Sequence, residues 1–248
     1  MKFIAAWRFL VLIPLNFKRA NTEEEISGSI VYFPVIGLIL GLVLAGLAWV
    51  FHLVFPASIV STLVLLVLTV LTGGLHLDGL ADSFDGLGGK DREERLRIMR
   101  DHQHGTFGIV SVIFALFIQA AALATISSKS IYWAIIVFPI IGRWAMVYAL
   151  AAYPYARESG AGVLFKKNAG VSIFAICTVF TIAVTALLLH GGGMIALIAA
   201  LAAVMLVAAF FNRWLAGLTG DNYGALNVIG EATFLLVFAL LSHNGWFL

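Results

Sequence analysis

The chain has 248 residues, 62% hydrophobic and 11% charged, with a formal net charge of +2 and a mean hydropathy of +1.03. Soluble domains run at about 45–50% apolar and about 25% charged, so a soluble enzyme, a secreted disulfide scaffold and a disordered chain are excluded. The composition reads as an all-α, polytopic helical membrane protein. It implies one integral-membrane domain over 1–248, with about seven transmembrane helices plus an N-terminal interfacial helix. The small net charge implies no nucleic-acid surface. Cys177, the single cysteine, lies in an apolar run as a packing residue and supplies neither a disulfide nor a cysteine metal site.

Residues 1–17 mix apolar side chains with Lys2 and Arg8 and lack a signal-peptide cleavage site, which predicts a helix lying in the interface. After a hydrophilic patch, apolar runs of spanning length fall at 28–54, 57–77, 107–127, 131–153, 170–190, 194–215 and 230–248. Gly37, Gly41 and Ala45 form a small-residue face for close helix packing, within the chain by default or between two copies of a homo-oligomer. His190 to Gly193 reads as an external turn. Residues 90–104 predict a short surface helix. Leu96 and Met99 share one of its faces, Glu93 pairs with Arg97, and Asp91, Arg92, Glu93, Glu94 and Arg95 form a solvated face.

With the N-terminus in the cytoplasm and seven crossings, thirteen of the fifteen Lys and Arg residues are cytoplasmic, Lys129 is outside and Arg143 lies within a span. All thirteen Asp and Glu residues fall on or beside that same face. Acidic residues do not set orientation, so a working site on the cytoplasmic side is the expected cause.

The second span ends in Thr72-Gly-Gly-Leu-His-Leu-Asp-Gly-Leu-Ala-Asp-Ser-Phe-Asp-Gly86. Asp78, Asp82 and Asp85 stand at i, i+4 and i+7 and share one helical stripe. Three like charges beside lipid repel, and a divalent cation removes the conflict. Carboxylates suit Mg²⁺, which takes one or two of them together with substrate phosphates. Neighbouring glycines let a helix or a diphosphate approach the backbone closely.

Arg100, Asp101, His102 and His104 precede Gly105, where the chain re-enters the bilayer within reach of the stripe. Asp101 reads as a site residue; His102 and His104 are divided between site and surface. Arg143 inside the fourth span requires a counter-charge, a phosphate or a water cavity. Arg157 at the next boundary is a natural phosphate clamp. Asp221 could complete a two-metal site, and Asn222 could bind a ligand or cap a helix.

The run Gly73–Gly86 resembles the signature of the cobalamin synthase family, the adenosylcobinamide-GDP ribazoletransferases. The likeness extends over nearly the whole chain. It includes Phe33-Pro-x-Ile-Gly37, Ile98-Met-Arg-Asp101, Gly105-Thr-x-Gly108, Arg143, Tyr155-Ala-Arg-Glu158 with Gly160 and Gly162, and Thr219-Gly-Asp-x-x-Gly224 with Glu231. The chain departs from it at His102, where many relatives carry Ser, so the resemblance assigns no role to His102 or His104. It implies a Mg²⁺-dependent enzyme of the cytoplasmic (inner) membrane. Such an enzyme joins α-ribazole, or its 5′-phosphate, to adenosylcobinamide-GDP and releases GMP, the last step of nucleotide-loop assembly.

For that chemistry, Asp78, Asp82, Asp85 and Asp221 would hold one or two Mg²⁺, and Arg143 and Arg157 would clamp phosphate oxygens, with Arg100, Asp101 and Asn222 also toward substrate. Asp85, ahead of His76, is the candidate base for the ribose hydroxyl. Two rivals are a CDP-alcohol phosphotransferase, whose Ala-Arg the aspartate run lacks, and a cation transporter, whose carboxylates belong near the midplane.

Cysteine labelling should place residues 90–104 and 155–168 in the cytoplasm and residue 129 outside. Labelling of a cysteine at position 95 from the external side would overturn this orientation.

Overall fold

The structure, a computed structural model, describes residues 1–14, 19–101 and 103–245. Helix α1 (Lys2–Leu10) is followed by a short α2 (Glu23–Ser27), started by a Thr22–Glu25 capping box. A 3₁₀ turn over Gly28–Tyr32 leads into α3 (Phe33–His52), with Pro34 in its first turn. Then come α4 (Ala57–Leu71), α5 (Leu75–Asp85), α6 (Arg92–Ile98), α7 (Thr106–Thr125), α8 (Ile131–Ala152), α9 (Ala161–Lys166), α10 (Val171–Leu215) and α11 (Gly220–His243). Among the described residues there is no strand, only a bridge between Tyr155 and Leu218. The all-α reading therefore holds.

Among the described residues, five helices are long and apolar enough to cross a membrane, or six when α4 and α5 count as one broken span. This differs from the seven separate runs expected, and two places cause the difference. The first is the 57–77 run. Gly73 and Gly74 both adopt left-handed conformations (φ 62° and 72°), which end α4 after 15 residues, and α5 leaves at 90°. Only glycine takes two such steps without a Cβ penalty. Fifteen helical residues cover about 22 Å, less than the roughly 30 Å of hydrocarbon, so α5 lies crosswise before the membrane has been fully crossed.

The second is α10, whose 45 residues carry a non-helical break at His190 (φ 50°, ψ −141°). Both of its ends lie at one face of the bundle. Cys177 Sγ is 3.6 Å from the Val31 carbonyl, and the Leu215 carbonyl accepts from Arg92, which also donates to Ala156. A Cβ on Gly193 would approach Thr185 Cγ2 to 3.2 Å, although residues eight apart in a straight helix are about 12 Å apart. The arms 171–189 and 191–215 therefore turn back on one another at the His190 turn.

The small-residue face of α3 packs within the chain. A Cβ on Gly37 would meet the Pro139 carbonyl at 2.6 Å, and one on Gly41 would collide with Ile136. Helix α11 starts earlier than the predicted 230–248 run, because Thr219 and Asn222 form a capping box ahead of it. Residues 246–248 of that run, residues 15–17 of the N-terminal segment and residue 18 of the hydrophilic patch lie outside the described residues. Helix α6 is solvated on one side, where Asp91, Arg92 and Glu93 are exposed, and docked on the other. Leu96 and Met99 pack with Ala156 and Leu215; Arg95 donates to the carbonyls of Gly89 and Trp214 and stacks on the Trp214 ring at 4.5 Å. Arg97 pairs with Glu94, not Glu93.

Arg143 is fully buried on α8, and its Nη1 donates to Glu231 Oε1 of α11 at 2.5 Å. Gln119, Asn227 and His76 surround the pair beside a cavity of about 20 Å³. This corrects the phosphate-clamp reading: Arg143 meets its counter-charge inside the bundle. Breaking a buried pair costs about 3–5 kcal/mol, whereas replacing both partners by apolar residues is far milder. Arg143→Met should therefore lower the thermal midpoint of detergent-solubilised protein sharply, and adding Glu231→Leu should restore much of the loss. A single variant as stable as wild type would show that the pair does not hold α8 to α11.

Candidate active site

Crosswise placement brings α5 against α7 and α11. A Cβ on Gly79 would meet the Asp221 carbonyl at 2.6 Å, and one on Gly224 would touch His76 and Gly79, so α5 and α11 meet backbone to backbone. At the end of α5 the Asp85 carboxylate accepts from Gly105 N–H (2.7 Å) and Gly108 N–H (2.8 Å). It thus caps the start of α7, satisfying two of the donors that a helix leaves free there. This cap also fixes the residue just before Gly105. His104 Nε2 lies 3.6 Å from Asp78 Oδ1, and its Nδ1 lies 3.6 Å from Asp82 Oδ1. The three side chains each offer a ligand atom within 4.8 Å of the others.

Across from them, Arg157 Nη2 donates to Asp221 Oδ2 at 2.6 Å. Thr219 Oγ1 donates to the same oxygen at 3.3 Å. Asp221 acts electrostatically on both Asp78 and Asp82, so a third carboxylate borders the cluster with its own arginine. The loop carrying Arg157 is held by Ala156 N–H donating to Leu218 and Leu218 N–H donating to Pro154. Tyr155 lies against Gly160 and Gly162, where any side chain would displace its ring. Burial raises the Tyr155 hydroxyl above its usual value, so it stays protonated near neutral pH.

Two cavities reach the cluster. One, of about 230 Å³, is lined by Asp78, Tyr155, Arg157 and Asp221 at one end and by Phe9, Phe33 and Phe165 at the other. The second, of about 760 Å³, runs between α1 and α7 and includes Arg8, Asp78 and His104. Phe9, Leu75 and Asp78 line both and form the wall between them.

The predicted residues separate into groups. Asp78 and Asp82 converge, with Asp221 and Arg157 beside them. Asp85 shares their helix, and each of its carboxylate oxygens accepts one N–H at the start of α7, so it caps that helix beside them. His76 is buried, and its Nε2 meets no partner. It lies against Gly224 of α11 and lines the 230 Å³ cavity together with Asp78, Arg157 and Asp221. Asn222 is fully buried; its Oδ1 accepts from Thr219 N–H and its Nδ2 donates to Ser83, so it caps and docks α11 instead of binding a ligand. Arg100 and Asp101 are exposed, and Asp101 accepts from Gln103 N–H; the structure does not bring them into the carboxylate group. His102 lies outside the described residues. His104, left open on the sequence, is the residue that the reading underweighted. The signal for it was the Asp85–glycine cap, which sequence spacing does not display.

A profile of the cobalamin-5-phosphate synthase family matches residues 2–239. The chain is 38% identical over 240 residues to the adenosylcobinamide-GDP ribazoletransferase of Roseiflexus sp. (strain RS-1), covering 95% of this chain and 88% of that protein. It is 34% identical to the protein of the same name from Geotalea daltonii, covering 94% and 95%, and 34% identical to that of Clostridium tetani, covering 96% of each. No solved structure matches. These likenesses do not favour the CDP-alcohol phosphotransferase or transporter readings. They run through the aspartate helix, the arginine loop and the capped start of α11 alike, and on that extent the chain belongs to the cobalamin-5-phosphate synthase family.

Proposed function

We propose that this protein is a Mg²⁺-dependent adenosylcobinamide-GDP ribazoletransferase, one domain over 1–248. A hydroxyl of α-ribazole, or of its 5′-phosphate, attacks the phosphorus bonded to the cobinamide side of the diphosphate. A new P–O bond forms, the bond to GMP breaks, and the hydroxyl proton passes to a base. The observation that carries this reading is the convergence of Asp78, Asp82 and His104, with Asp78 in the wall shared by two cavities and Arg157 and Asp221 alongside, in a chain of this family. The thirteen-to-one distribution of basic residues supports an inner-membrane setting with N-terminus and site in the cytoplasm.

The donor set fits the metal. Asp78 and Asp82 offer hard carboxylate oxygens that among the described residues pair with His104, and Mg²⁺ binds through one or two such carboxylates and substrate phosphates. When bound, the ion neutralises charge on the diphosphate. Arg157, held in place by Asp221, presents its remaining N–H groups to phosphate oxygens. His104 takes the base role assigned on the sequence to Asp85 and His76, since its imidazole stands beside both carboxylates at the open side of the cluster. Tyr155 supplies a further hydrogen-bond donor next to Arg157.

Asp78→Asn and Asp82→Asn should each abolish most GMP release while the protein still inserts, and should raise the Mg²⁺ requirement of any activity left. The two losses should be strongly non-additive, because one lost ligand disables the shared unit. Near-normal Mg²⁺-dependent release from both variants would place the metal elsewhere. His104→Ala should lower kcat by about 10²–10⁴-fold, the contribution of a general base, at an unchanged Mg²⁺ requirement. A raised requirement would make His104 a ligand instead. Asp85→Asn should behave differently from both, costing about 0.5–2 kcal/mol of stability as a weakened cap, read by thermal unfolding.

A further inference from the structure

The two cavities differ in size, polarity and access, yet share one wall at Asp78. We infer that the 230 Å³ cavity is the acceptor subsite, its aromatic end taking the flat, apolar base of the ribazole, while the 760 Å³ cavity takes the corrinoid donor. This rests on the ribazoletransferase reading.

The smaller cavity is polar at one end, where Asp78, Arg157 and Asp221 stand, and aromatic at the other. Phe33 and Phe165 are 0% and 3% exposed, meet edge to face with centroids 5.6 Å apart, and are joined by Phe9 at 4.6 Å from Phe165. Rings in such an arrangement favour a further flat ring, offset or edge-on. A nucleoside with a carbon-rich bicyclic base has the same polarity from end to end: sugar hydroxyls toward the carboxylates, apolar ring toward the phenylalanines.

Phe9, Phe33, Phe165, Leu75, Met146 and Leu150 offer the amide edge of guanine, the other base in the reaction, no side-chain oxygen or nitrogen. Apart from the carboxylates and Arg157, the polar side chains of this cavity are His76, Tyr155 and Tyr223, so the aromatic lining suits a carbon-rich base better than guanine. Size excludes the corrinoid, because pockets for drug-sized molecules already run at about 300–1,000 Å³. The larger cavity suits that bulk. Its α7 wall carries Ile109 and Ile113, 51% and 58% exposed, so an amphipathic macrocycle can enter from the side between α1 and α7. Donor and acceptor then meet at the shared wall, beside Asp78.

The test is steady-state kinetics of the protein in nanodiscs, with Phe165→Leu and Phe33→Leu, which keep apolar volume but remove a ring at positions that line the smaller cavity alone. Each should raise the KM for α-ribazole about ten-fold while the KM for adenosylcobinamide-GDP stays within two-fold, the unchanged donor value serving as the control for folding. In wild type, exchanging the benzimidazole of the acceptor for adenine should raise its KM at least ten-fold, and Phe165→Leu should narrow that gap. A rise in the donor KM alone, or unchanged KM values for both substrates, would overturn the subsite assignment and leave the enzyme's identity intact. Wild-type protein that releases no GMP from the two substrates would overturn the ribazoletransferase reading and this assignment with it.

Discussion

The left-handed pair Gly73–Gly74 is the constraint on which the rest of the site depends. It stops α4 short of the far boundary and swings α5 through 90°, so that a helix carrying three aspartates lies across the bundle instead of projecting from it. Each side chain larger than hydrogen at these two positions would oppose the turn by about 1–2 kcal/mol. Once α5 lies crosswise, Gly79 can rest on the backbone of Asp221, and Asp85 can cap α7. Both contacts bring residues from distant parts of the chain to Asp78 and Asp82.

Charge is arranged in two tiers around that bend. Deep in the bundle, Arg143 and Glu231 neutralise one another out of reach of solvent and tie α8 to α11. At the mouth, Arg157 and Asp221 form a second pair that is only partly buried, its side chains 13% and 21% exposed. The deep pair leaves little room for a substrate, whereas the outer pair borders a cavity. Similar chemistry is therefore closed off in one place and open to a cavity in the other, and accessibility separates the two.

Much of this was legible in the sequence where spacing alone carries the information. Asp78 and Asp82, four residues apart on an apolar helix end, announced a shared carboxylate face, and the family motif ran through the same residues. Pairings across the chain were not legible. Arg143 and Glu231 are separated by 88 residues and Arg157 and Asp221 by 64, and periodicity says nothing about which cation meets which anion. Gly73–Gly74 was read for close approach, whereas its use is conformational. Asp85 was read by its stripe, but the free N–H groups at the start of α7 claim it. The start of α11 was missed because Thr219 caps with Asn222 instead of the usual Glu or Gln.

The arginines of α6 bear on how the protein is made. Arg92 and Arg95 bind carbonyls of Leu215 and Trp214, and Asp221 follows shortly after. A chain emerging from the ribosome presents its aspartate helix long before these acceptors have been synthesised. The carboxylates are thus threaded into the membrane early, and their arginine, their third acidic neighbour and the latch that holds α6 come together only as the closing helix enters.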